Sequence, residues 1–407
     1  MVREAKTGNT FLFVVMFLSV TQAVVGQFIG HGVPLFLRAA GQPSYVIGLV
    51  YLAAIPYVLR VAWSPLVDRY GFMSLGHYRS WLVFGQAVFV AFLVLLSFIP
   101  IDGLHLILLV LVFSLMLSLA MQDAATSALM VRGLAAEKRA RGSAFRAVGA
   151  GLAGAIVGAG TIYLFADFGW QPVILTLAAI SACGFCAVLC LKLDLGWSHD
   201  GPPPTYSLIF SVFRSQKARS LFVIKMFVGI GLALTYGFKA IVLIDAGLST
   251  ADAALVGLVL GNIAGLGAAL AIRPFVDRFG GFAVLAAIGV TVSFYCLIFA
   301  VQFSDGLEPA ETVIYVLIAN ALTFAALPPS RSILMGLCDK SKAATDFAAF
   351  VSLEGVVLLL CAGAGAALSD VVGIHVLLAI AALGSFVGAV FALRAATRNR
   401  ISSEEFV

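Results

Sequence analysis

The sequence predicts an all-α membrane protein, with twelve transmembrane helices in two six-helix pseudo-repeats. Three observations lead there. Of 407 residues, 62% are hydrophobic and only 11% charged, whereas a soluble chain carries roughly 25% charged residues to coat its surface. The apolar residues fall in runs long enough to cross a bilayer, about 20 residues each. Short loop motifs recur across a polar linker, which marks two related halves.

The runs follow in order. Thr7–Leu37 holds no Asp, Glu, Lys or Arg. It is too long for a signal-peptide core and no small-residue cleavage site follows, so it reads as the first span. Ser44–Val67 is apolar but for Arg60, and Ser80–Ile101 is uncharged. Gly103–Val131 reads as one long helix whose last third is polar. Ala147–Ala166 and Phe168–Leu191 complete the first six. The second six are Leu221–Leu243 (with Lys225 and Lys239), Ala253–Ile272, Phe279–Ser304, Thr312–Leu337, Phe347–Ser369 (with Glu354) and Val371–Leu393. Pro328, Pro329 and Arg331 interrupt the fourth of these. Asp194–Ser220 is the longest polar stretch and contains the stiff run Pro202-Pro-Pro204. The expected units are therefore 1–193, a linker 194–219, and 220–407.

Positive charge sets the orientation. With the N-terminus cytoplasmic, all but four of the 25 Lys and Arg lie inside; the exceptions are Arg38, Arg60, Lys225 and Lys239. Outer loops are short and acidic: Asp102, Asp167, Asp305, Glu308, Glu311 and Asp370. Both termini are thus expected in the cytoplasm. The net charge of +5 is explained by topology, and no nucleic-acid partner is expected.

Two motifs repeat. Pro65-Leu-Val-Asp-Arg-Tyr-Gly71 matches Pro274-Phe-Val-Asp-Arg-Phe-Gly280, and Ser127-Ala-Leu-Met130 matches Ser332-Ile-Leu-Met335. Two similar halves in one orientation are a transporter architecture, with the solute held between them near the midplane. The Asp-Arg-aromatic-Gly element resembles the loop motif of the major facilitator superfamily. The matched positions are Asp68, Arg69 and Gly71, and Asp277, Arg278 and Gly280. Ser64 and Arg273 replace the motif's first glycine, and Phe72-Met73 and Gly281-Phe282 its trailing basic pair. The resemblance implies the major facilitator fold and a role for the matched residues in a cytoplasmic gate.

A narrower resemblance lies in Tyr57-Val-Leu-Arg-Val-Ala-Trp-Ser-Pro-Leu-Val-Asp-Arg-Tyr70, Arg79-Ser-Trp81, Gln86 and Gln122-Asp123. These are similar to the branch holding muropeptide permeases, acetyl-CoA transporters and RhtX/FptX-type siderophore permeases. Thr345-Asp-Phe347 is more like the siderophore permeases. The branch implies a bacterial inner-membrane importer, with a ferric siderophore as the first expected substrate and a muropeptide as the second. Drug efflux comes third, because the Gly149–Gly160 run lacks the proline of the antiporter signature.

Charge inside a membrane is costly and usually functional. Arg60 precedes Asp68, and Asp123 precedes Arg132, by similar distances. Both lie roughly 12–14 Å from the inner ends of their helices at 1.5 Å per residue. A buried ion pair fits this, and so does Arg60 snorkelling to the headgroups. Glu354 is either a proton carrier or a static partner of Arg331 or Lys225; Asp123 is the corresponding carboxylate of the first half. Lys239, with Tyr236 and Lys225, attracts an anionic substrate or snorkels outward, and Arg38 raises the same choice. Gln27 and His31 share a helix face; they line a cavity or bond a neighbouring helix. Gln122 joins the expected substrate-binding set of Gln27, His31, Arg60, Asp123, Tyr236, Lys239 and Glu354.

Scattered histidines, with no HExxH, P-loop or G-x-S-x-G pattern, exclude an enzyme as the first reading. Neither a cofactor nor a metal site is expected. Cys183, Cys186 and Cys190 share a face without His or carboxylate, which suits packing. The expected partners are a small-molecule substrate, protons and the lipid bilayer, and the expected state is a monomer.

Overall fold

The computed structural model describes residues 9–71, 75–101, 105–133, 149, 152–154, 156–160, 164, 168–190, 211–337 and 343–404. The linker through 210, the basic loop 134–148 and most of the expected span 147–166 lie outside these residues. All regular structure among the described residues is helical.

The helices are α1 Asn9–Gln27, α2 Val33–Ala39, α3 Ser44–Ala53, α4 Ile55–Val58, α5 Arg60–Arg69, α6 His77–Ser97, α7 His105–Gly133, α8 Trp170–Cys190 and α9 Gln216–Asp245. They continue as α10 Thr250–Ala254, α11 Gly261–Ala271, α12 Arg273–Phe279, α13 Gly281–Gln302, α14 Pro309–Ala325, α15 Leu327–Leu337, α16 Ala343–Val372 and α17 Ile374–Glu404. Ten helical stretches among the described residues are long and apolar enough to cross a membrane. The chain is a multi-pass membrane protein.

Proline accounts for two departures from continuous helices. The run Ser44–Val67, read from sequence as one span, is three pieces. Pro56 has no N–H to offer the Leu52 carbonyl and its ring crowds that position. Accordingly α3 stops at Ala53, a short α4 follows, and α5 starts afresh at Arg60 after Leu59 (φ −77°, ψ 19°). In the first span, Pro34 cannot donate to Gly30. There the chain widens into one π turn, Phe28–Gly32, closed by Val33 N–H on Phe28 O.

Contacts divide the chain into two compact units. Unit 1 is Met1–Phe36 with Ala53–Thr205. Here α6 packs on α8 and α7, and α1, α4 and α5 pack on α7. Polar side chains stitch the seams. Gln22 Nε2 donates to Thr126 Oγ1 at 2.9 Å and Gln86 Nε2 to Thr21 Oγ1 at 3.0 Å. Small residues and such bonds are what hold helices together where lipid is as apolar as leucine.

Unit 2 is Leu37–Leu52 with Tyr206–Val407. Its α9 packs on α16 and α17, α13 on α17, and α11 on α14. Tyr295, Phe299, Phe303 and Tyr315 form an aromatic cluster, with Tyr295 and Tyr315 stacked at 5.1 Å. Thr235 Oγ1 meets Tyr315 Oη at 2.6 Å. Along α16, backbone touches backbone. A Cβ at Gly48 would lie 2.6 Å from Gly363 O, one at Gly365 2.9 Å from Leu234 O, and one at Gly237 would overlap the Ala362 carbonyl.

These contacts make a prediction. Gly237→Leu forces α9 and α16 apart, an overpacking cost of about 1–3 kcal/mol or more. Thermal unfolding of the purified protein is expected several degrees lower than wild type, on the order of the shift such a cost produces. Gly229→Leu, where an added Cβ meets nothing within 4 Å, is the control on the same helix. Equal midpoints for the two variants would show that the close approach carries no stability.

Candidate functional site

In unit 1 the helix break positions the charge. Ala54–Leu59 is held by local bonds, Tyr57 N–H to Ala54 O at 3.1 Å and Leu59 N–H to Ile55 O at 3.1 Å. Trp63 Nε1 takes up the Pro56 carbonyl at 3.2 Å. Arg60 then opens α5, and its Nη1 donates to Asp123 Oδ2 on α7 at 2.9 Å. Asp123 is buried, 7% exposed. The Arg60 side chain keeps 34% of its surface, and its guanidinium carbon lies 5.9 Å from the Tyr57 ring. The two charges read from sequence as lying at matched depth therefore meet.

Gln122, next to Asp123 in sequence, faces elsewhere. It is wholly buried in the α6–α7 seam, where the missing side chain of Gly85 makes room for it. Its Nε2 donates to Ser118 Oγ at 3.4 Å. Gln27 ends α1 and His31 sits in the π turn that follows, both half-buried.

Unit 2 holds a second ion pair within its spans, Lys225 Nζ of α9 on Glu354 Oε1 of α16. Side-chain exposure is 9% for Lys225 and 19% for Glu354. Lys225 is about 13 Å from the start of α9 and Glu354 about 16 Å from the start of α16, at 1.5 Å per residue. Arg331 of α15 acts electrostatically on Lys225. The second carboxylate oxygen, Glu354 Oε2, is buried and accepts no hydrogen bond from the described residues. One turn towards the helix starts, Phe213, Phe222 and Phe350 pack together; Phe213 and Phe350 are stacked at 5.7 Å.

Lys239 belongs to a different place. It is buried, donates to Gly257 O at 3.4 Å, and lies 5.6 Å from the Tyr236 ring centre. Tyr51 Oη donates to Tyr236 O at 3.0 Å. Lys225, grouped with Lys239 and Tyr236 in the sequence reading, is roughly 21 Å away along α9 at 1.5 Å per residue.

Of the repeated loops, Asp68 and Arg69 close α5, and their side chains lie outside the described residues. Gly71 is small for contact reasons, since a Cβ there would sit 2.5 Å from His77 Nδ1. His77 Nε2 in turn meets Val67 O at 2.9 Å. Gly280 is small for conformational reasons: its φ is +80°. Asp277 and Arg278 are exposed near the end of α12, with Arg278 over Phe279 at 5.3 Å.

One cluster was not assembled from sequence. Arg38 Nε donates to Asp245 Oδ1 at 2.6 Å and its Nη2 pairs with Asp245 Oδ2. Nη2 also lies 3.7 Å from Asp370 Oδ1, Nη1 donates to Ser44 Oγ at 3.3 Å, and the Ser44 amide donates to Asp370 Oδ2 at 3.1 Å. The only sequence signal was that Arg38 and Asp370 both fall at span ends.

The helical stretches of this multi-pass membrane protein thus carry two partly buried ion pairs partway along their length. The chain belongs to the Major Facilitator Superfamily, whose family model matches residues 8–357.

A Rickettsia prowazekii protein described as "Putative transporter AmpG 3" is 28% identical over 45% of this chain and 44% of its own length. The chain thus spans less than half of that relative. A Rickettsia felis protein described as "Putative transporter AmpG 4" is 24% identical over 83% of this chain and 84% of its own. Among solved structures, a POT family transporter in complex with a thioalcohol-conjugated peptide superposes with a TM-score of 0.76, covering 96% of both chains at 11% identity. The nucleoside transporter NupG gives 0.71 at 14% identity, covering 95% of this chain and 98% of its own. At such identities the likeness is one of fold.

Proposed function

We propose that this protein imports an acidic peptidoglycan fragment of the muropeptide class across a bacterial inner membrane, by alternating access and with proton coupling. The observation that carries the reading is the pair of membrane-embedded ion pairs, Arg60–Asp123 and Lys225–Glu354. Buried charges exact a desolvation cost that a purely structural helix contact has no need of. Their place partway along the spans suits solute and proton binding. The AmpG-type relatives favour a muropeptide over the iron chelate suggested by Thr345-Asp-Phe347. In this reading 1–193 and 220–407 form the two moving halves, joined by the linker 194–219, and the bonds that tie Leu37–Leu52 into unit 2 are made in one state of the cycle and released in the other. The loops bearing Asp68, Arg69 and Gly71 and Asp277, Arg278 and Gly280 serve the cytoplasmic gate.

Purified protein in sealed liposomes is expected to accumulate a radiolabelled anhydromuramyl tripeptide when the lumen is alkaline relative to the outside, and to equilibrate it without a gradient. Accumulation indifferent to the gradient would remove proton coupling. Absence of any uptake, with a ferric siderophore accumulated instead, would reverse the substrate choice.

Orientation is tested separately. With both termini cytoplasmic, Ser304→Cys on the α13–α14 loop should react with an impermeant maleimide added outside cells. Arg278→Cys should react only after permeabilisation. The reverse pattern would invert the topology.

A further inference from the structure

We infer that Lys239 selects for a carboxylate on the transported solute, with the Tyr236 ring as the surface beside it. This deepens the reading of an acidic solute and rests on it. The Lys225–Glu354 pair has no part in it, being roughly 21 Å away along α9 at 1.5 Å per residue.

An ionisable side chain inside a span is costly and by default functional. Lys239 stands about 9 Å short of the end of α9 at 1.5 Å per residue. A snorkelling lysine keeps its head in water, whereas Lys239 is only 8% exposed. Its Nζ turns instead to the backbone of the next span, where Gly257 O accepts at 3.4 Å. Gly257 belongs to a π turn, Leu255–Leu260, between α10 and α11, closed by Gly261 N–H on Val256 O. Wide turns of this kind recur at functional sites. The lysine stem passes the glycine closely: a Cβ at Gly257 would lie 3.8 Å from Lys239 Cε.

The other wall is aromatic. Lys239 Nζ lies 5.6 Å from the Tyr236 ring centre, within reach of a cation–π contact. Tyr51 fixes that ring: the two rings are 5.4 Å apart and Tyr51 Oη donates to Tyr236 O at 3.0 Å. Tyr51 is buried, while Tyr236 is only half-buried. All four residues belong to unit 2. An enclosed ammonium thus sits next to a ring that is partly open.

These walls favour an acid over a neutral solute. An ammonium carries three N–H donors. The Gly257 carbonyl takes one at a distance beyond the usual range for N–H···O, and neither that carbonyl nor the ring carries a formal charge. A carboxylate lying against Tyr236 makes a charge-assisted bond to Nζ, roughly twice as strong as a neutral one. A carboxamide of the same solute offers only a neutral oxygen. The discrimination comes from the charge on the solute, and no proton moves.

The test uses full-length protein in nanodiscs at neutral pH, with an anhydromuramyl tripeptide and its fully amidated derivative as probes. Wild type is expected to bind the acid at least about tenfold more tightly, the range of a hydrogen bond to a charged group. Lys239→Met removes the ammonium and keeps the length of the stem. It should bind the two probes equally, with its affinity for the amide within about threefold of wild type. Should the methionine variant not purify as folded protein, Lys239→Gln is read in its place.

A preference for the acid that survives in the variant overturns the role of Lys239 and leaves the muropeptide reading standing. Equal binding of both probes by wild type overturns it too. If wild type binds neither probe, the muropeptide reading has failed instead, and the same ratio is taken between a ferric carboxylate siderophore and a ferric hydroxamate one. There a preference for the carboxylate that disappears in the variant upholds Lys239. Any other result, absence of binding included, overturns it.

Discussion

Alanine at Arg60 or at Asp123 is expected to abolish uptake, lowering the initial rate by about two orders of magnitude or more. The reason lies in what each change leaves behind. Asp123 is 7% exposed and Arg60 is a described ion-pair partner of it. Removing Arg60 strands the buried Asp123 charge, at up to about 3–5 kcal/mol; removing Asp123 leaves a guanidinium that is one-third exposed, at a smaller cost. Replacing both, as in Arg60→Leu/Asp123→Leu, removes that cost and should recover much of the folded yield without recovering transport. The two defects are therefore expected to be strongly non-additive in stability, with a coupling of about 1–3 kcal/mol in a double-mutant cycle. Rates are normalised to membrane protein level, and midpoints are read on purified protein. Additive destabilisation would mean that the pair contributes nothing as a pair; undiminished uptake by either single variant would remove it from the mechanism.

Glu354→Gln is expected to separate accumulation from movement. Glutamine keeps the size and one carbonyl acceptor while removing the titrating oxygen. The variant should catalyse exchange of labelled for unlabelled solute across liposomes at near wild-type rate. It should no longer concentrate solute in the lumen when the lumen is alkaline relative to the outside. The loss expected is complete for accumulation and less than about threefold for exchange, because only the proton-linked step is gone. Concentrative uptake by the glutamine variant would move proton coupling to another group, Asp123 being the other buried carboxylate of the proposed machinery.

The parts of this molecule visible in the sequence are those governed by composition and local spacing. Long apolar runs could be read because lipid exposure leaves a hydropathy signature in every turn. Matched depth suggested Arg60 and Asp123 because depth is counted along a helix. Partner choice is different, since it depends on helix rotation and packing. Glu354 had Lys225 and Arg331 as alternatives, and only the α9–α16 contact places it on Lys225. Gln122 entered the expected site with Asp123 through the Gln122-Asp123 motif of the family resemblance, yet consecutive residues on a helix point about 100° apart. Gly85 on α6, remote in sequence, claims it. Pro56 was in plain view, but the apolar run around it masked its effect. The break there became legible only through the helix that resumes at Arg60.

The Arg38 cluster distributes redundancy unequally. Asp370 has two supports, the Arg38 guanidinium and the Ser44 amide, so losing either leaves the other. Asp245 depends on the Arg38 fork for both of its oxygens. Arg38 itself joins α2 to the ends of α9 and α16 and to the first residue of α3. Lysine, with one compact ammonium, cannot reproduce a planar fork that meets two carboxylates and a hydroxyl at once. A substitution at Asp370 is thus a partial loss, whereas even the most conservative exchange at Arg38 is a whole one. Tolerance to substitution at this end of the helices is therefore expected to follow how many neighbours each side chain serves.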